Sequence, residues 1–279
     1  MAAAAVPRND LELQAAPRAA REGTGPGAAA PVLDGESSPT ALLARLTGET
    51  HPVRAFLAGV VLAYVAIAAV SILLGLLVTR VIVTNGWLAR DDEFLVRVLA
   101  HHRSGGLTEA SLIGSIIAGG VTLPILVAAF GLVAAAFRQW RLAAFLIFAL
   151  AVESAAYRTT TLVVHRHRPK VVRLEHLPVN ASYPSGHTAA AIAVYCGLAL
   201  LVTSRVASRW ARVAIWMVAV AVPVFVALSR MYRGMHHPLD VAGGVVIGVA
   251  ALVAMVLVSR AAGIAAAARD RERAAGRFS

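Results

Sequence analysis

The sequence predicts an all-α integral membrane bundle of six transmembrane helices, with a polar site at the non-cytoplasmic membrane face. Three observations lead there. Of the 279 residues, 58% are hydrophobic, and the mean hydropathy of +0.72 is too high for an ordinary soluble domain. Several apolar runs reach the roughly 18 to 20 residues that cross a bilayer. The net charge of +11 is almost wholly arginine, with Lys170 the single lysine, and it lies in short connectors and tails. Charges so placed set topology and meet anionic headgroups, and no nucleic-acid-binding motif accompanies them. Cys196 stands alone inside an apolar run, which excludes a disulfide framework or a thiolate metal site and marks a small core residue.

Residues 1–50 are rich in Ala, Pro and Gly without sustained periodicity, and are expected to form a disordered cytoplasmic tail. Its opening AAAAV is too short for a signal-peptide core. Leu42, Leu43 and Leu46 suggest one short interfacial helix within it. The membrane domain is expected over 51–262, with spans at 55–83, 111–136, 142–164, 185–204, 211–229 and 238–260. Arg80, near the end of the first, can snorkel to the interface. Asp91–His102 places Phe94, Leu95, Val98 and Leu99 on one face, which reads as a surface helix that packs or forms a lid. His101 and His102 have no carboxylate or cysteine at a ligand spacing, so they are not read as metal ligands. Glu153 lies inside the third span, where a carboxylate is a functional candidate and should face protein; a buried bond to Tyr157 or Arg158 is the structural alternative. Gly244 and Gly248 make a small-xxx-small pair for close helix packing. A basic cytoplasmic tail, 263–279, closes the chain.

Six spans put both termini on one side. Residues 1–54, 137–141, 205–212 and 260–279 carry fifteen arginines, against eleven Arg and Lys elsewhere. Positive-inside bias then makes the termini cytoplasmic and sends the other connectors to the periplasm or exterior.

One of those connectors, His165 to His187, packs four Arg/Lys and four His between two apolar spans. That is expensive unless it lies at the membrane surface or lines a polar cavity. It ends in Pro184-Ser185-Gly186-His187, leading straight into an apolar run, as a helix N-terminus that holds an anion would begin. The other connector carries Ser229-Arg230, His236, Pro238 and Asp240. Pro238 suits the first turn of a helix, which sets His236 just ahead of it and Asp240 inside it. There Asp240 can accept from one imidazole nitrogen and leave the other as base or nucleophile. Arg168 and Arg230 supply anion binding, and His187 a second proton-transfer group.

Together these residues resemble the type 2 phosphatidic acid phosphatase (PAP2) superfamily of membrane lipid phosphatases and vanadium haloperoxidases. The family motifs are K-x6-R-P, P-S-G-H and S-R-x5-H-x3-D. The chain carries Arg168-Pro169, then Pro184 to His187, then Ser229-Arg230 with His236 and Asp240. The resemblance covers about 110–260. It departs at Thr161, where the family has lysine; Arg166, Arg158 and Lys170 are candidate replacements.

The resemblance implies metal-independent hydrolysis of a lipid phosphate, with no cofactor. The substrate class is phosphatidic acid, phosphatidylglycerol phosphate or a polyprenyl (di)phosphate. His236 attacks phosphorus with Asp240 setting its tautomer, and His187 protonates the leaving oxygen and then activates water. Arg168, Arg230, Ser185 and Gly186 hold the phosphate oxygens. The bilayer is the expected partner, without nucleic acid or a protein partner. Two alternatives stay open: a lipid-phosphate binding or transport protein that lost turnover, and a vanadate-dependent haloperoxidase.

Overall fold

Proline or serine stands at the start of several helices in an otherwise apolar sequence. The computed structural model describes residues 31–35, 37–47 and 51–276. Its helices are α1 (Ser38–Thr47), α2 (Pro52–Leu77, continued by a π turn Val78–Ile82), α3 (Trp87–His101), α4 (Gly105–Ile117), α5 (Thr122–Ala136), α6 (Trp140–Val163), α7 (Gly186–Ala191), α8 (Gly197–Thr203), α9 (Arg209–Tyr232) and α10 (Pro238–Ala275). A π turn, Ile192–Cys196, joins α7 to α8. Pro52 and Pro238 stand in the first turns of α2 and α10, where a missing N–H costs nothing. Ser104 and Ser208 cap α4 and α9, each hydroxyl accepting a backbone N–H three residues on. Among the described residues there is no strand, only an isolated bridge between Arg166 and Ala181.

Among the described residues, five helical segments are long and apolar enough to cross a membrane, or six if α4 and α5 count as one span bent by 46°. The expected second span is therefore two helices. Gly119 and Gly120 weaken the helix there, and Pro124 is tolerated only because a new helix has just begun. The final helix runs past its expected end to Ala275. Its last fifteen residues are alanine-rich, and alanine favours helix without needing an apolar partner.

The expected disordered tail is also corrected where it is described. Leu33 is fully buried, Arg260 Nε donates to the Val32 carbonyl at 2.9 Å, and Arg141 Nη2 donates to the Leu33 carbonyl at 2.7 Å. α1 packs on α10 with Leu43 against the core, while Leu42 and Leu46 stay exposed, in keeping with an interfacial helix. A composition averaged over fifty residues hid this short apolar patch. Residues 1–30, 36 and 48–50 of that tail lie outside the described residues.

The core is built by α2, α6 and α10, with α7 laid against α10. The close approach depends on the glycine pair read from the sequence. A Cβ at Gly244 would stand 2.5 Å from the Ser185 carbonyl oxygen, and one at Gly248 2.6 Å from that of Ala189. Backbone cannot give way as a flexible side chain can, so Gly244→Ala is expected to cost about 1–3 kcal/mol by overpacking. It should also push the 184–187 turn out of line. Thermal unfolding in detergent, read beside activity, checks this; unchanged values for both rule out the close contact.

The α6–α7 and α9–α10 connectors leave the bundle at the same end. Ser185 N–H donates to the Asp240 carbonyl at 2.9 Å, and Leu174 N–H to that of Arg233 at 3.1 Å. These bonds fix one connector on the other.

Candidate active site

Arg168 organises the first connector. Its guanidinium donates from Nε to the Pro178 carbonyl (2.8 Å), from Nη2 to Ala181 (2.9 Å) and from Nη1 to Met235 (2.5 Å). The loop is thereby closed on itself and tied to the residue before His236. Three of five N–H donors are used. The other two remain on a side chain that lines a cleft of about 560 Å³ together with His187 and His236.

The second connector turns at Gly234, whose φ of +71° favours glycine. A side chain there would meet Val171 at 2.6 Å. Two residues later comes His236, 3% exposed. Its Nδ1 donates to the Ser182 carbonyl at 2.7 Å, which leaves Nε2 with a free lone pair. Asp240 was the expected acceptor, but its Oδ2 stands 3.8 Å from Nδ1, beyond hydrogen-bond reach. The carboxylate is already taken by Arg166, by Ser182 Oγ at 2.6 Å and by the His237 backbone N–H at 2.8 Å. Asp240 therefore sets the tautomer at one remove, by holding Ser182, and acts on His236 by charge. Burial pushes His236 down to about 4 against the pull of Asp240, so the ring is neutral at pH 7.

His187 enters the cleft from the start of the Gly186–Thr203 span, beside Gly186. The first N–H groups of a helix lack intrahelical acceptors, which suits the backbone of Gly186 and His187 to an anion. Ser185 has a different part. Its Oγ pairs with Thr188 Oγ1 at 2.9 Å and its N–H is spent on Asp240, so it braces the turn.

The expected replacements for the missing lysine, Arg166, Arg158 and Lys170, do not line the cleft. Thr161 bonds back to the Arg158 carbonyl at 2.8 Å and does not line the cleft. Arg166 is buried between Asp92 and Asp240, paired with both. Lys170 lines an adjoining cleft that shares Arg168 with the first, together with Arg90 and Arg97. Each is drawn off by nearer partners or by its place on the backbone.

Arg230 is fully buried. Its Nη1 donates to Ser115 Oγ (2.7 Å) and to both oxygens of Glu175 (2.8 Å each). Nε and Nη2 have no partner among the described residues. Arg233 Nε donates to Glu175 Oε1 at 2.5 Å, and its Nη1 to Ser111 Oγ at 3.2 Å. Glu175 reads from sequence as solvated loop; instead it bridges two arginines. Burial pushes its carboxyl up, but Arg230 and the hydrogen bonds from Arg230 and Arg233 hold it at about 2.

Sequence reasoning also missed Ser182, Asp92, Glu93 and Arg233. The surface helix α3 delivers Asp92 to Arg166 and to Leu239 N–H (2.9 Å), and Glu93 to His237 Nε2 (3.1 Å). The acidic run Asp91-Asp92-Glu93 on an amphipathic helix, in a chain whose site-bearing connectors are basic, was the available signal. Glu153 is buried as expected, but its Oε2 takes Ser154 Oγ at 3.1 Å, and no bond to Tyr157 or Arg158 forms.

A family model described as the PAP2 superfamily matches residues 140–264. Over 76 residues the chain is 41% identical to an undecaprenyl-diphosphatase of Sulfolobus acidocaldarius, a stretch covering 27% of this chain and 32% of that one. The chain thus spans about a third of the length of the curated relative it matches. In fold it is similar to a transmembrane PAP2 type phosphatidylglycerolphosphate phosphatase from Bacillus subtilis. That likeness has a TM-score of 0.57 and 21% identity over 70% of this chain and 92% of the other.

Proposed function

We propose that the protein hydrolyses a lipid phosphate through a phosphohistidine on His236, a reading supported by the PAP2 superfamily model that matches residues 140–264. The observation that carries this is one cleft lined by His236, His187 and Arg168 that continues between Leu123, Val127, Ile147 and Leu150. A phosphorylated headgroup fits the polar end and an apolar chain the other. His236 Nε2 attacks the terminal phosphorus as its P–O bond to the leaving group breaks, an ester bond in a monophosphate and an anhydride bond in a diphosphate, and His187 gives a proton to the leaving oxygen. His187 then takes a proton from water, whose oxygen attacks the phosphohistidine and releases phosphate and free His236. Arg168, Arg230 and the N–H groups of Gly186 and His187 stabilise the transferring group. The guanidinium groups supply the charge, so the proposed mechanism does not call on a metal.

The name of the Sulfolobus relative makes a polyprenyl diphosphate the first substrate to try, beside phosphatidic acid and phosphatidylglycerol phosphate. The termini are placed in the cytoplasm and the site on the opposite face, on the arginine asymmetry of the connectors. The test is phosphate release by purified protein from these three lipids with EDTA present. Release from at least one is expected to survive chelation. No release from any of them, with or without EDTA, ends the hydrolase reading.

A further inference from the structure

Arg230 presents an unusual arrangement for a group read as a phosphate ligand. It is fully buried and does not line the cleft that holds His187, His236 and Arg168. What it touches instead is a carboxylate. We propose that Glu175 is a displaceable internal anion, which occupies Arg230 and Arg233 between turnovers and exchanges with the phosphate group of the substrate. The proposal rests on the hydrolase reading for where the phosphate goes, but not for its physics.

Carboxylate and phosphate oxygens make the same charge-assisted bonds to a guanidinium. Glu175 serves only one nitrogen of Arg230, leaving Nε and Nη2 buried and unpaired. A buried donor without an acceptor is costly, and a tetrahedral anion has more oxygens to offer than a carboxylate. Glu175 is also the member of the trio built to move. Its side chain is 23% exposed, against 0% for Arg230 and 6% for Arg233. It stands in the irregular stretch between α6 and α7, where Leu174 stays bonded through its N–H and carbonyl to Arg233. Side-chain rotation alone can release the arginines, with the loop still anchored. A phosphate beside an undisplaced Glu175 would meet like charge at close range, which is the reason for exchange over coexistence.

The experiment measures KM for the hydrolysed lipid and the inhibition constant of inorganic phosphate for wild type, Glu175→Gln and Glu175→Asp. Glutamine keeps the shape and loses the charge; aspartate keeps the charge and, one methylene shorter, loosens its hold on the arginines. Exchange predicts that both variants bind phosphate more tightly, glutamine by about tenfold and aspartate by less. A carboxylate that merely orders the arginines predicts weaker phosphate in both variants, which overturns the proposal. A carboxylate that acts only through its field predicts tighter binding for glutamine and none for aspartate, which also overturns it. Unchanged constants do the same. If the glutamine variant fails to fold, judged by gel filtration in detergent, aspartate against wild type decides alone. If wild type releases no phosphate, the hydrolase reading fails. Calorimetric titration with inorganic phosphate then still tests the exchange.

Discussion

His236→Ala is expected to lower phosphate release by at least about 10³-fold, as loss of a nucleophile does. The expectation follows from the ring's fixed chemistry. Nδ1 is committed to the Ser182 carbonyl, so the lone pair can only be on Nε2. The depressed value of about 4 keeps that lone pair free of a proton over the working pH range. A second readout tests the same ring. Once the substrate's own second ionisation is divided out, kcat/KM should fall with acid near pH 4 and not near the ordinary histidine value of about 6.5. The sign follows from protonation, since below its own value the ring carries a proton where it must attack. Labelled substrate quenched in alkali should leave phosphate on wild-type protein and none on the alanine variant. A variant that turns over like wild type, or carries label, removes His236 as the nucleophile.

Much of this is legible in the sequence, and the division has a physical cause. Apolar runs are fixed by length and composition, so the starts of the spans at Pro52, Trp140, Gly186, Arg209 and Pro238 fall within a few residues of expectation. Short motifs announce groups whose chemistry is local: the proline that starts α10, the Asp240 in its first turn, the glycine that opens α7. What sequence does not carry is the choice of partner among several charges within reach. Nothing in the order of residues says that Arg166 goes to two aspartates while Arg168 goes to three carbonyls. Nor does it say that Ser182 stands between Asp240 and His236, because that contact is to a backbone carbonyl, which every residue possesses. Glu175 looked solvated for the same reason. Its loop has no periodicity to place it, and its partners lie 55 and 58 residues away along the chain.

Arg166→Ala tests that hidden layer most severely. The guanidinium is buried between Asp92, 5% exposed, and Asp240, fully buried, and each acid is also tied to the start of α10, through Leu239 N–H and His237 N–H. Burial opposes the arginine's charge, but Asp240 and Asp92 outweigh it and keep it protonated. Removing it leaves two buried carboxylates facing each other with no cation. Breaking a buried pair from one side costs about 3–5 kcal/mol, which for a chain of this size lowers Tm by on the order of 10 °C. Activity should fall further than stability, because Asp240 no longer has a fixed position from which to hold Ser182 and, through it, His236. The cause can be separated from simple loss of packing by adding Asp92→Asn. If the damage comes from uncompensated charge, the double variant is more stable than Arg166→Ala alone, since one of the two stranded charges is gone. If the double variant is no better, or if Arg166→Ala melts with wild type, then Arg166 does not hold α3, α10 and the first connector together through its charge.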